Sequence, residues 1–240
     1  MFVRIFIGAL IVAAAAGPAV AQDYEPAGRW CFGEASTEQT LQGCGAIIRA
    51  NREKPATIAA AYFNRGLAYH AKSQYEPAIA DYSQAITLKP AYPEAFYERG
   101  LANRRSGRND RALQDYNEAL RLKPGYVEVL NSRCYLRAIM GALQAALQDC
   151  DEALRLDPKN QYAFDSRAFA YLKLGQFDAS IADYDRALQI EPERPYSLYG
   201  RGAARRKRGD VAGGNADMAK AKAKVPGIDE EFAKYGVAKF

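Results

Sequence analysis

Prolines at positions 90, 124, 158, 192 and 226 recur every 34 residues. Alanines at 85, 119, 153, 187 and 221, aspartates at 81, 115, 149, 183 and 217, and arginines at 65, 99, 133, 167 and 201 keep the same register. A chain repeating at this period does not build one central core. Each unit covers its apolar face with the next unit, so the default is a linear stack. The register divides the chain into five blocks, 59–92, 93–126, 127–160, 161–194 and 195–228, with a leading piece 22–58 and a tail 229–240.

Within a block the apolar spacing is helical. Tyr62, Gly66 and Tyr69 fall at i, i+4, i+7, and Ala78, Tyr82 and Ala85 repeat that spacing after a turn. The turn carries Ser73 in the first unit and glycines at 107, 141, 175 and 209 in the others, residues suited to the left-handed conformation that ends a helix. Glu76, Asp110, Gln144 and Asp178 follow, and an acid there is expected to accept from free N–H groups at the helix start. The terminal proline stops the second helix. Each block is therefore a pair of antiparallel helices, and the fold class is all-α. Small residues (Gly66, Gly100, Cys134, Ala168, Gly202) stand where two helices must approach, with large ones such as Tyr82, Tyr116 and Tyr184 between them.

The ends depart from the pattern. Residues 1–21 have a basic start, an apolar run from Ile5 to Ala16 and the small residues Ala19 and Ala21, as in a cleaved secretion signal. The run is shorter than the ~20 residues that span a bilayer comfortably, and Gly17-Pro18 interrupts it. Gln22 follows the expected cut rather than Cys, so the mature chain is expected to be periplasmic or secreted, not a lipoprotein, with no membrane-spanning segment. Residues 22–58 are read as a loop and a covering helix, Gln39–Ala50. Lys222 and Lys224 wet the last unit where Leu120 and Leu122 stand earlier, and Asp229-Glu230-Glu231 opens a final helix whose Phe232 and Tyr235 lid the open end of the stack.

The pattern aromatic-x-x-Arg-Gly…Gly…Ala-x-x-Asp-Tyr-x-x-Ala-(Ile/Leu)…Pro resembles the tetratricopeptide repeat over residues 59–228. The chain also resembles a group of exported bacterial repeat proteins with a Cys…Cys segment, here Cys31 to Cys44, ahead of the first Asn64-Arg65-Gly66. The resemblance implies a right-handed superhelical solenoid whose concave groove binds a protein or peptide segment. A stripe one residue after the core stripe on each first helix lies beside the core face, and in the family that surface lines the groove. Counting its neighbours, the groove is expected to hold Phe63, His70, Tyr97, Arg104, Arg105, Tyr135, Tyr162, Phe169, Lys173, Tyr196, Tyr199 and Arg206. Tyr and Arg are the usual anchors at protein interfaces, although packing between repeats would use the same rings. The Lys/Asn clamp with which the family holds C-terminal carboxylates has no match here.

Four cysteines allow three pairings, and spacing alone does not choose among them. Cys134 replaces the small residue of one column and Cys150 the tyrosine of another, both in the third unit on facing helices. Two such departures together point to a Cys134–Cys150 disulfide, leaving Cys31–Cys44. Two buried thiols, or a redox pair, are the alternatives. The Arg and Asp columns, on opposite helices of each hairpin, are expected to form structural ion pairs.

Catalysis finds no support. His70 is the one histidine in the chain, so neither a Ser-His-Asp arrangement nor a multi-histidine metal site can be assembled, and no phosphate loop is present. No cofactor or metal is expected. A net charge of +5 is too modest to imply nucleic acid. The expected function is a non-enzymatic interaction scaffold of the cell envelope. The alternative is an envelope structural protein that contacts anionic polymer or membrane through the basic fifth repeat, Arg201 and Arg205–Arg208 with Lys220, Lys222 and Lys224.

Overall fold

The computed structural model describes residues 24–237. The expected signal at 1–21 and the last three residues lie outside them. The described chain is all-α, thirteen helices with no strand among these residues. Two helices lead, α1 (Tyr24–Phe32) and α2 (Thr37–Ala50). Five hairpins follow: α3 (Pro55–Ala71) with α4 (Tyr75–Leu88), α5 (Pro93–Arg105) with α6 (Asn109–Leu122), α7 (Val127–Ile139) with α8 (Leu143–Leu156), α9 (Gln161–Lys173) with α10 (Phe177–Ile190), and α11 (Pro195–Arg208) with α12 (Val211–Lys224). A short helix α13 (Ile228–Lys234) ends the described chain. Among the described residues no helix is long and apolar enough to cross a membrane.

The hairpin turns follow from local chemistry. Ser73 (φ 58°) and Gly107, Gly141, Gly175 and Gly209 (φ 75° to 109°) take the left-handed conformation, which costs glycine no Cβ clash. Pro55, Pro93 and Pro195 open their helices, where the missing N–H would have had no partner. The acids expected to cap do not do so. Glu76, Asp110 and Asp178 sit inside the first turn, and the capping positions Gln74, Arg108 and Gln176 make no side-chain capping bond. The caps fall two residues before the acids, so those carboxylates meet the helix dipole from inside the first turn, and Glu76 and Asp178 also pair with Arg108 and Arg208. In the last hairpin Asp210 occupies the cap itself and accepts from Gly213 N–H.

Each hairpin closes through a small residue on its first helix facing a large one on its second. A Cβ added to Gly66 would lie 2.7 Å from the Tyr82 ring, and one on Gly100 would lie 2.6 Å from the Tyr116 ring. At the same place in the third hairpin Cys134 and Cys150 are joined, with Cα atoms 5.5 Å apart. Every arginine of the column reaches its aspartate, from Arg65–Asp81 (2.7 Å) to Arg201–Asp217 (2.8 Å). The same guanidinium also reaches back one unit. Arg99, Arg133, Arg167 and Arg201 donate to Ser83, Asn117, Asp151 and Asp185 respectively, at 2.7 to 3.0 Å. A planar fork with five donors suits a carboxylate and a second acceptor together, so the ladder ties unit to unit as well as helix to helix.

Two expectations about the ends are corrected. The stretch read as an N-terminal loop is helix α1, which places Cys31 against Cys44 of α2 (Cα–Cα 4.6 Å) and buries Ala27, Cys44, Ile47 and Ala61 together. The first hairpin helix begins at Pro55, so a boundary at Ala59 cuts it. The C-terminal helix packs on the last hairpin, with Lys222 bonded to Asp229 and Ile228 buried beside Met218 and Ala221, and Phe232 and Tyr235 reach on to the first helices of the two hairpins before it.

Candidate functional site

The first helices of successive hairpins form one continuous face. Helix α13 lies on it: the Phe232 ring centroid is 4.6 Å from Tyr199 of α11 and 5.9 Å from Phe169 of α9, and the Tyr235 ring is 6.2 Å from Tyr135 of α7. The segment Ile228–Tyr235 thus touches three first helices, through Phe232 of α13 on α11 and α9 and through Tyr235, the residue just past α13, on α7. Beside α13 a cavity of about 370 Å³ remains, with Arg104 and Arg105 from α5, Tyr135 from α7, Tyr162 and Phe169 from α9, Arg194 and Tyr196 from the entry to α11, Glu231 and Phe232 from α13, and Tyr235 just past it.

Its electrostatics are mixed. Arg104 stands over the Tyr135 ring at 5.6 Å and Arg194 over Tyr162 at 4.6 Å, the geometry of cation–π attraction. Arg194 and Ser197 hold Asp165 at 2.5 Å each. Burial pushes the Asp165 carboxyl above its ordinary range, opposed by the Ser197 bond and the Arg194 charge. Tyr196 donates to Glu231 at 2.8 Å, and burial together with that acid pushes its phenol up to about 12. Ser166 bonds Asn131 at 2.7 Å, and Tyr97 O–H lies 3.3 Å from Ser132 Oγ, so polar stitches run from one first helix to the next.

The twelve residues expected in the groove divide. Arg104, Arg105, Tyr135, Tyr162, Phe169 and Tyr196 line the cavity. Phe63, His70 and Tyr97 lie toward the other end of the face: Phe63 packs on Tyr82 and Tyr92, His70 Nδ1 is 3.5 Å from Glu98, and Tyr97 packs between Tyr116 and Tyr126. Tyr199 is fully buried and Phe169 nearly so, because α13 covers them. Lys173 does not line the cavity. Its ammonium donates to the carbonyls of Ala138 and Ile139 at the end of α7, and burial lowers its pKa. Arg206 contacts Asn215 of α12. Sequence reasoning did not place Arg194, Glu231, Phe232 and Tyr235 in the groove. The acid followed by aromatics three apart on 231–235 was the available signal.

The basic fifth repeat is largely paired with acids. Arg201 and Arg205 share Asp217, Arg208 meets Asp178, Lys222 meets Asp229 and Lys224 meets Glu193. Among the described residues no group of three or more His, Cys, Asp or Glu is arranged to hold a metal ion.

A family model described as a TPR repeat matches residues 66–107 and 170–209, and one described as a tetratricopeptide repeat matches residues 93–126. The chain belongs to the tetratricopeptide repeat family. No curated protein matches it. Among solved structures, this tetratricopeptide repeat protein is similar to one from Parabacteroides merdae (TM-score 0.72, 19% identity, covering 91% of this chain and 90% of that one). It is also similar to PilW, described as a widely conserved type IV pilus biogenesis factor (TM-score 0.64, 21% identity, 70% of this chain and 78% of that one). A third is YrrB, described as a TPR protein with an unusual peptide-binding site (TM-score 0.57, 17% identity, 76% of this chain and 91% of that one). At these identities the likeness establishes the tetratricopeptide solenoid and nothing finer.

Proposed function

We propose that this protein is a non-catalytic scaffold that binds a protein or peptide segment along the curved face of its first helices. The observation that carries this reading is the cavity between α5 and α13, walled by tyrosines and by Arg104 and Arg105. Rings with few rotors and a forked cation give contact area at low ordering cost. Tetratricopeptide repeat proteins serve as interaction modules, and the similar YrrB carries a peptide-binding site. A cell-envelope location is part of the proposal. It rests on the signal-like residues 1–21 and on two disulfides, which persist in oxidising compartments. The alternative, a protein contacting anionic polymer through the fifth repeat, is weakened by the acids already paired with Arg205, Arg208, Lys222 and Lys224.

The test is site-specific photocrosslinking in the host, with the probe at Tyr162, half exposed at the cavity, and a control probe at Lys220, exposed on α12. The reading expects protein adducts from position 162 that disappear when Arg104 and Arg105 are both changed to Glu, and none from 220. Equal adducts from both positions, or adducts indifferent to the arginines, would overturn it.

A further inference from the structure

The strongest clue to the guest is the segment already seated on the face. We infer that the groove recognises a short helical segment with an acidic first turn followed by aromatic residues three apart, and that Ile228–Tyr235 of this chain is a built-in stand-in that competes with it. The inference rests on the groove-binding reading above and gives its guest a chemistry.

Three observations meet here. Phe232 of α13 and Tyr235 at its C-terminal cap are spaced i, i+3 and share one face of the segment. That face lies on Tyr199, Phe169 and Tyr135. The charges are complementary: α13 opens with Asp229, Glu230 and Glu231, Glu231 accepts from Tyr196, and the far wall of the cavity carries Arg104 and Arg105. The fit is also incomplete. The cavity stays open beside α13, lined by Glu231 and the two arginines alike, so a longer acidic-aromatic helix would fill what this one leaves.

The stand-in is built to let go. A seven-residue helix is too short to hold itself together in water. It is bounded by Gly227 (φ 83°) and Gly236 (φ 86°), left-handed turns at both ends, and its polar ties to the rest of the chain include Lys222–Asp229 and Tyr196–Glu231. Opening it would uncover Tyr199 and Phe169 and lengthen the groove toward the last hairpin.

The test uses the full chain and a labelled synthetic peptide of residues 226–240, followed by fluorescence anisotropy. Wild type is compared with the double variant Phe232→Ala/Tyr235→Ala, in which the internal competitor is weakened. Removing a competitor raises apparent affinity by the fraction of closed chains released, so binding to the double variant should be about tenfold tighter or more. Adding Arg104→Glu and Arg105→Glu to that variant should abolish binding, and a peptide carrying both alanines should bind neither protein. A folded double variant that ignores the peptide would overturn the inference; if the 162 crosslinks persist meanwhile, groove binding stands with a guest of different chemistry. Hydrogen exchange of wild type covers a double variant that fails to fold. Amides of 230–235 should exchange faster than those of α11 and α12, and protection equal to those helices would make α13 a fixed part of the stack and sink the idea. A wild-type dimer that dissociates on Phe232→Ala would give the seat to a second copy's tail and sink it as well.

Discussion

Tyr235 meets Tyr135 nearly edge-on, 6.2 Å between ring centroids, although three repeats of chain separate them. The contact brings the residue just past α13 onto the first helix of the third unit.

Breaking one rung of the ladder should cost stability and spare recognition. Asp115 takes both Arg99 and Asn103. Asp115→Ala strands a guanidinium that is 23% exposed, and losing one partner of a buried pair costs roughly 3–5 kcal/mol, toward the low end where the survivor reaches water. Urea unfolding should show this loss while crosslinking from position 162 is unchanged; equal loss of both in folded protein would contradict a structural role.

Neither disulfide should be reducible without consequence. Cys31–Cys44 closes 13 residues of sequence and Cys134–Cys150 closes 16, and loops of that size contribute about 3 kcal/mol each in the chain-entropy description. Alkylation without reductant should add no mass to the folded protein, and reductant should lower the melting temperature. Four labelled thiols before reduction would remove both bonds.

Gly100→Ala should destabilise by overpacking. The added carbon would sit 2.6 Å from the Tyr116 ring and 3.3 Å from the Asp115 side chain, so ring and helix must shift at a cost of about 1–3 kcal/mol. Tyr82→Phe should go the other way, neutral or slightly stabilising, because the buried Tyr82 hydroxyl has no hydrogen-bond partner among the described residues. Chemical denaturation of the two variants checks both signs.

Alkaline pH should loosen the α13 seat. Tyr199 and Tyr196 are pushed up to about 12, chiefly by burial. The unfolded phenols ionise near the usual ~10. Both states are protonated below about 10, so this contribution is intact there and is lost as pH rises from about 10 toward about 12. A difference titration of tyrosinate absorbance between wild type and Tyr199→Phe reads the phenol directly, and an unshifted midpoint in the folded protein would refute the burial.

Where sequence and structure part, the reason is range. Repeated residues act within one hairpin, so the turns at Gly107 and Gly141, the Arg–Asp pairs and the placing of Cys134 opposite Cys150 were all legible from spacing. The back-reach of Arg167 to Asp151 crosses from one unit to the next, and its only trace in the sequence is a Ser, Asn or Asp two residues after each aspartate concerned. Six of the residues expected in the groove line the cavity, and what separates them from the others is again range. Helix geometry says which stripe faces inward, but not that α13 covers Tyr199 or that Lys173 turns to the end of α7.

By itself the sequence determined the unit, because a helix pair with a 34-residue register, a left-handed turn and a small residue facing a large one has one local solution. Only the tertiary structure decided where the tail goes and what is left of the groove. Those depend on contacts between residues far apart in the chain, such as Tyr135 with Tyr235 and Phe169 with Phe232, which no local pattern encodes.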